Sequence, residues 1–388
     1  MVLSDENRKE LEGYRKRIDE IDAMLLKLFA ERMDTAAEIG EFKRRNSLPV
    51  YDPKREQEKL IAATEKMPEE LRSKSVLLLK LLFELSRSHQ YEITRAQGGL
   101  ESRISDAVRD SIKVLPEFAP VACQGVEGTN SQYACMKLFR NPNIMYFSSF
   151  EAVFGAIEKG LCRYGIVPVE NSFAGTVNTV YDLMMKHRFY IVRSARMKIN
   201  HSLLANPGTK TDDIREVYSH PQALMQCSDF LSTLRGVRQI PFENTALAAK
   251  YVSESGRSDV ASLSNPECAR YYGLECLKQN AENKANNYTR FICISRDLEI
   301  LPGANRTSLM VTLPHEQGSL FKLLSKFYAL GINLLKLESR PIPEREFEFM
   351  FYFDLDVPAD APEFLKLISE LPYACESFTY LGSYIEVV

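Results

Sequence analysis

No apolar run in the 388 residues approaches the roughly 20 that a membrane-spanning helix needs, so no transmembrane segment is expected. The first residues, MVLSDENRKELEG, are acidic and polar, which is not the pattern of a signal peptide, and a cytoplasmic protein is expected. Tryptophan is absent, which excludes nothing. The eight cysteines contain no Cys-x-x-Cys, and the five histidines do not cluster with them. Free thiols in a reducing compartment are therefore expected, with no metal site. Neither Gly-x-Gly-x-x-Gly nor Gly-x-x-x-x-Gly-Lys-Ser/Thr occurs, which disfavours nicotinamide and P-loop nucleotide binding, and no cofactor is indicated. A formal net charge of −3 gives no electrostatic reason to invoke nucleic acid or an anionic membrane.

Residues 5–45 have no proline, and their only glycines are Gly13 and Gly40. Leu11, Tyr14, Ile18, Ile21, Leu25, Leu28, Ala36, Ile39 and Phe42 recur at spacings of mostly three, four or seven, which predicts one amphipathic helix about 60 Å long. Such a helix is too long to bury its stripe on one small domain and needs long partner helices, from this chain or a second copy. Ser47-Leu48-Pro49 ends it, Asp52-Pro53 supplies an N-cap and a first-turn proline for a second helix, and a third spans about 69–93. Residues 1–95 thus read as an all-helical, dimeric module. Arg32 and Lys43 share a helix face, Asp52, Arg55 and Glu56 stand at i, i+3 and i+4, and Ser86 and Gln90 are four apart. Arg15 lies about 25 Å up the first helix from Arg32. As a set, these cations, carboxylates and amides could surround a small dianion.

The stretch Arg15-x-x-Ile18-x-x-Ile21-Asp22, Glu31-Arg32, Lys43, Asp52-x-x-Arg55-Glu56 and Ser86-x-x-x-Gln90 resembles the all-helical chorismate mutase family. The resemblance implies a dimer in which Arg15 reaches the partner's site. It implies that Arg32 and Arg55 grip substrate carboxylates, and that Lys43 and Gln90 donate to the ether oxygen whose bond breaks. Asp52, Glu56 and Ser86 would hold the hydroxyl and ring side. A Claisen rearrangement needs no nucleophile or metal. It needs a held conformer and cations where negative charge grows.

AQGG, mixed charge and Leu115-Pro116-Glu117-Phe118-Ala119-Pro120 mark residues 96–117 as a linker. From 118 to 298 strands and helices alternate, in an α/β pattern with ligand groups expected in loops after strands. Its centre is Arg163–Val180. There the apolar run Ile166–Val169 breaks at Glu170-Asn171-Ser172, passes Ala174-Gly175-Thr176 and turns into a helical pattern, the kind of strand–turn–helix that exposes backbone N–H groups to an anion. The chain is expected to leave this lobe near Lys198, build a second to about Leu277, and return, leaving a central cleft. The turns hold Thr129, Ser131, Asn171, Thr176, Ser219, Gln222, Gln226, Asn244, Thr245, Thr289 and Arg290.

Gly125-Val-Glu-Gly-Thr-Asn-Ser131, Tyr164-Gly-Ile-Val-Pro-Val-Glu-Asn171, Ser219-His-Pro-Gln222 and Asn287-Tyr-Thr-Arg-Phe291 together resemble prephenate dehydratase. The resemblance implies Thr289 as the catalytic threonine, with Arg290 or its neighbourhood meeting a carboxylate. Asn171, Ser219, Gln226 and Glu243 would line the cleft, with Thr129, Ser131 and Thr176 nearby. Ser202 stands where many members have Cys, and Asn130 where an aromatic is common, which leaves pocket shape open.

Residues 303–388 read as βαββαβ, a ferredoxin-like plan. They resemble the ACT regulatory domain, with Gly318-Ser319-Leu320 and Glu338-Ser339-Arg340-Pro341 matching its phenylalanine-binding motifs. The sequence is accordingly multidomain (α, then α/β, then α+β), and resembles bifunctional chorismate mutase–prephenate dehydratases. That implies chorismate, prephenate and L-phenylalanine as ligands, feedback by phenylalanine, and a homodimer or homotetramer. The alternative is a two-lobed amino-acid or carboxylate binding protein without catalysis.

Overall fold

The computed structural model describes residues 5–94, 99–284, 286–342 and 348–388. The chain forms two compact units, one through Leu100 with residues 368–371, and one from Glu101 to Leu367 with residues 372–388.

In the first unit, α1 (Asp5–Arg45), α2 (Pro53–Lys66) and α3 (Glu69–Thr94) follow the reading closely. The Asp52 carboxylate accepts the Arg55 backbone N–H at 3.0 Å, and Pro53 opens α2 where its missing N–H costs nothing. The buried residues of α3 are Phe83, Ser86 and Gln90. Gly40 permits close approach of α1, since a Cβ there would lie 3.3 Å from Gln90 atoms. Most of the predicted stripe is uncovered: Leu11, Tyr14, Ile18, Ile21, Leu25, Leu28, Ile39 and Phe42 are exposed in a single copy, and only Ala36 is buried.

The second unit begins with α4 (Leu100–Arg109), so the expected linker is partly a helix. Its Ile104 is fully buried, worth about 1.5–3 kcal/mol, and that anchors a stretch whose dense charge reads as solvated. The first lobe follows as β1 (Pro120–Gln124), α5 (Asn130–Leu138), β2 (Asn143–Phe147), α6 (Phe150–Glu158), β3 (Tyr164–Asn171), β4 (Gly175–Thr176), α7 (Asn178–His187) and β5 (Tyr190–Lys198). The second lobe comprises β6 (Ser202–Ala205), β7 (Glu216–Ser219), α8 (Pro221–Gln226), α9 (Ser228–Thr233), β8 (Arg238–Pro241), α10 (Thr245–Ser255), β9 (Val260–Ser264), α11 (Cys268–Tyr272) and β10 (Glu275–Lys278). The helix expected at 222–234 is two short ones, broken at Cys227. The short strands β2, β8 and β10 are sheet edges with partly exposed faces, too short to stand out in the sequence.

β11 (Tyr288–Ser295) re-enters the first lobe between β3 and β5, antiparallel to both, while β1 pairs with β2 and β3 in parallel. The lobe is therefore a mixed sheet. β3 runs on through Glu170 to Asn171 and doubles back on β4, with Thr176 opposite Glu170. The turn read as a helix entry is thus part of the ladder, and Val177 N–H goes to the Val169 carbonyl at 3.0 Å.

The C-terminal segment forms β12 (Arg306–Thr312), α12 (Ser319–Ala329), β13 (Asn333–Pro341), β14 (Phe349–Asp356), α13 (Pro362–Ala374) and β15 (Ser377–Tyr384). Its four strands are antiparallel in the order β13-β14-β12-β15, the expected ferredoxin-like arrangement. The expected last strand is split, however. After Tyr384 a separate β16 (Glu386–Val387) pairs in parallel with β5 and completes the seven-stranded sheet of the first lobe. Met350, Tyr352, Leu381 and Tyr384 share one core with Val167, Val180, Tyr181 and Ile191. Among the described residues, no helix is long and apolar enough to cross a membrane, and no His/Cys/Asp/Glu group could hold a metal. All eight cysteines are free, and all but Cys276 are buried.

Candidate active sites

In the helical unit, packing of α3 against α1 and α2 gathers much of the predicted set. Arg32 Nη1 donates to Ser86 Oγ and, at 2.9 Å, to the Leu82 carbonyl. Lys43 Nζ donates to the Val50 carbonyl at 2.6 Å, leaving further N–H bonds to offer. Burial lowers the Lys43 pKa, and the charges of Asp52 and Glu56 oppose that shift. Ser86 and Gln90 are buried, and Gln90 Oε1 has no hydrogen-bond partner among the described residues. Glu56 is held by Arg87, which also binds Glu84 and lies over the Tyr51 ring at 5.0 Å. Arg87 escaped the sequence reading: beside Ser86 in a charged helix, nothing in the pattern distinguishes it from a solvated residue. Arg55 is exposed, with its side chain near Glu58 at 3.5 Å, and Arg15 is exposed on the uncovered part of α1.

In the two-lobed region, one chain of hydrogen bonds links the lobes. Asn171 Oδ1 accepts the backbone N–H groups of Phe173 and Ala174, both at 2.9 Å, which fixes the amide so that Nδ2 points the other way. Nδ2 donates to Thr289 Oγ1 at 2.9 Å and to Asn287 Oδ1 at 3.0 Å. Thr289 therefore accepts from Asn171 and keeps its own proton to donate. Asn287 Nδ2 donates to Gln226 Oε1 at 2.9 Å, and His201 Nε2 lies 3.1 Å from the same oxygen. Burial lowers the His201 pKa, so the ring is neutral at physiological pH and donates from Nε2. A cavity of about 340 Å³ opens here, lined by Phe173 and Ala174 of the first lobe, Gln222, Met225 and Gln226 of the second, and Glu282, Asn283, Lys284 and Asn287 of the returning segment.

Several predicted residues are placed elsewhere. Thr289 is within strand β11 rather than in a loop after a strand. Arg290, its neighbour, points to the opposite face. It is buried against Asp354, Tyr384 and Glu386 and does not line this cavity, but a separate one of about 540 Å³ together with Arg196, Arg306 and Lys336. Burial opposes the Asp354 charge, but Arg290 outweighs it and holds the carboxyl below its usual range. Ser219 is fully buried, its hydroxyl given to the Leu263 carbonyl. Thr176 donates to Glu338 Oε2 at 3.0 Å. Thr129 donates to the Val126 carbonyl, Ser131 is buried, and Glu243 is exposed just before α10. The Gly125–Ser131 loop is braced across the lobes, where Asn265 binds Asn130 and Tyr272 binds the Glu127 carbonyl. His201, Asn287 and Lys284 were not singled out. Asn287 lies inside a quoted motif, whereas His201 and Lys284 carry no local signal.

In the C-terminal segment Gly318 has φ +84° and opens α12, beside a cavity of about 400 Å³ lined by Leu313, Pro314, His315, Ser319 and Leu320 among others. Within one copy Glu338 and Arg340 do not line it: Glu338 meets Thr176, and Arg340 meets Asp182 at 3.0 Å. Ser339 and Pro341 are exposed.

Comparison with known proteins agrees with this division. The family model described as prephenate dehydratase matches residues 121–299, and that of chorismate mutase type II matches residues 14–91. Arogenate dehydratase/prephenate dehydratase 1, chloroplastic, of Arabidopsis thaliana is 38% identical over 253 residues, covering 61% of this chain and 64% of that protein, less than two thirds of its length. The solved structure of prephenate dehydratase from Arthrobacter aurescens in complex with L-Phe has a TM-score of 0.63 at 26% identity, over 68% of this chain and 90% of that one. The bifunctional chorismate mutase/prephenate dehydratase of Aquifex aeolicus (strain VF5) is 32% identical over 380 residues, 97% of this chain and 98% of that protein. With both catalytic modules present in one order and aligned almost end to end, this chain belongs to the bifunctional chorismate mutase/prephenate dehydratase family.

Proposed function

We propose that the helical unit rearranges chorismate to prephenate and that the two-lobed cleft converts prephenate to phenylpyruvate. In the helical unit, Lys43 and Gln90 act where charge grows on the ether oxygen, and Arg32 holds a carboxylate. A lysine in that place acts mainly on the transition state rather than on substrate binding. The exposed apolar residues of α1 support a homodimer or homotetramer, in which Arg15 serves the partner's site.

One observation carries the dehydratase reading: Asn171 donates to Thr289 Oγ1 and leaves the threonine proton free to donate. In the reaction, the ring–carboxylate C–C bond breaks, its electron pair aromatises the ring, CO₂ leaves, and the C–O bond of the ring hydroxyl breaks. Departing hydroxide is the difficult event. Thr289 donates to it as one member of a proton relay, since a threonine hydroxyl is too weak an acid to act alone. With Arg290 turned away, Lys284 is the cation in the cavity lining and takes a substrate carboxylate. The Gly318 cavity takes L-phenylalanine and favours a less active state, which requires different affinities for the two states.

The test supplies chorismate to the protein and follows prephenate and phenylpyruvate with and without L-phenylalanine. Both products should form, with phenylpyruvate suppressed by phenylalanine. A protein that turns over neither substrate is the two-lobed binding protein instead. Inhibition that survives substitution of both Gly318 and Arg340 rules out this regulatory site.

A further inference from the structure

The side-chain amides of Asn171, Asn287 and Gln226 each take their direction from their partners. Backbone N–H groups hold the Asn171 oxygen, so its nitrogen faces Asn287 and makes Asn287 Oδ1 an acceptor. Asn287 Nδ2 is then the donor to Gln226 at 2.9 Å, and the Gln226 atom it meets is the oxygen. This chain of amides ends at a ring. His201 Nε2 lies 3.1 Å from the same oxygen, so Nε2 carries the proton. The other tautomer would set two lone pairs against each other. It would also bury an N–H at Nδ1, which has no hydrogen-bond partner among the described residues. With its oxygen doubly held, Gln226 turns its Nε2 away from both donors, at the wall of the cavity. Asn287 alone would be a pivot about which the amide plane could turn. His201, just before β6, adds a donor from a second direction and fixes the plane. Its own backbone is held on both sides: the N–H donates to Glu282 Oε2 at 3.0 Å, and the carbonyl accepts the Ala281 N–H at 2.7 Å.

We propose that His201 is a positioning residue for the dehydratase reaction. With Asn287 it holds Gln226 Oε1, so that the Gln226 NH₂ group is presented to the departing ring oxygen of prephenate alongside the Thr289 proton. Thr289 Oγ1 and Asn287 Oδ1 share one donor, Asn171 Nδ2, which sets the Thr289 and Gln226 donors on the same stretch of the cleft. An amide gives up no proton. It stabilises negative charge as that charge grows, and does so best when its direction is set in advance. The permanent carboxylate is left to Lys284. The inference rests on the dehydratase reading of this cleft. His201 touches no substrate; it acts through Gln226.

The test uses the full chain with His201→Phe, which keeps a ring and removes the Nε2–H. A loosened donor should lower kcat for prephenate roughly tenfold, with KM changed less than about twofold and the chorismate rate unchanged. His201→Gln places an amide N–H near the position of Nε2 and should restore most of the rate. A glutamine does not titrate, so this rescue separates a positioning ring from one that transfers protons. Gln226→Met removes the donor outright and should lower kcat by about 10²-fold. In that background His201→Phe should cause no further loss, because both changes remove one function. An unchanged kcat in His201→Phe overturns the proposal, as does a rise in KM alone, a loss that His201→Gln does not restore, or an equal loss with and without Gln226. Where a lowered melting temperature shows that His201→Phe has disturbed the fold, Gln226→Met decides, and a kcat within about twofold of the parent overturns the proposal. A parent protein that leaves prephenate untouched, or a Thr289→Ala enzyme within about tenfold of it, refutes the dehydratase reading itself, before any His201 variant is made.

Discussion

Gly382 lies hard against the backbone of Ile191: a Cβ on it would come within 2.3 Å of the Ile191 carbonyl oxygen. Its φ of +128° disfavours any side chain as well. This contact is where β15 crosses β5 just before β16 joins the dehydratase sheet. Gly382→Ala should destabilise the second unit by about 1–3 kcal/mol, through overpacking and backbone strain together. Thermal melting checks this. The prephenate activity should fall with the lost structure while the chorismate activity persists.

Asn171→Asp reverses the hydrogen bond with Thr289 and removes the one given to Asn287 Oδ1. The carboxylate would accept the Thr289 proton instead of donating to its oxygen, and the proton would no longer face the substrate. Prephenate turnover should fall by about 10²–10⁴, the usual worth of a positioned proton donor. Steady-state rates of both activities, measured on one preparation, give the result. A variant that keeps more than a tenth of the parent rate would show that the Thr289 proton is not used.

Lys43 gives a pH prediction. Burial lowers its pKa, so the ammonium loses its proton at a lower pH than a free lysine does. In the role proposed for Lys43, the rearrangement needs the charged form. Mutase kcat should therefore be level at lower pH and fall as pH rises through the Lys43 pKa. Glu56→Gln removes a carboxylate that raises this pKa, so the alkaline limb should move to lower pH. The pH–rate profile of each variant checks the sign, and a shift to higher pH would contradict the assignment.

Lys284→Ala separates binding from chemistry in the other cleft. A cation that holds a carboxylate equally in the ground and transition states affects KM alone. KM for prephenate should rise about tenfold with kcat nearly constant. Thr289→Ala should show the reverse pattern, and like behaviour of the two would mean that their roles are misassigned.

The sequence was most legible where local rules decide structure. The long α1, the Asp52 cap and the βαββαβ order all follow from periodicity and turn chemistry. It was least legible where distant segments meet. Arg290 sits in a recognisable motif, yet its role depends on Asp354, Tyr384 and Glu386, which lie 64 to 96 residues away in sequence. Ser219 reads as a turn hydroxyl but satisfies a buried carbonyl on a neighbouring strand. His201 and Lys284 become notable only when the returning segment closes beside the second lobe. Strand alternation alone would have warned that Thr289 and Arg290 cannot both face one cleft.

β16 also bears on how the protein is made. Glu386 pairs across the sheet 190 residues after Arg196, its ion-pair partner at 2.7 Å. At ordinary rates of synthesis the edge of β5 waits roughly 10–40 s for that strand. During that interval a β-edge with unpaired N–H and C=O groups faces the cell, where it can recruit another chain. Aggregation during expression should thus depend on residues at the far end of the sequence, and chaperone demand should end only when the last strand arrives.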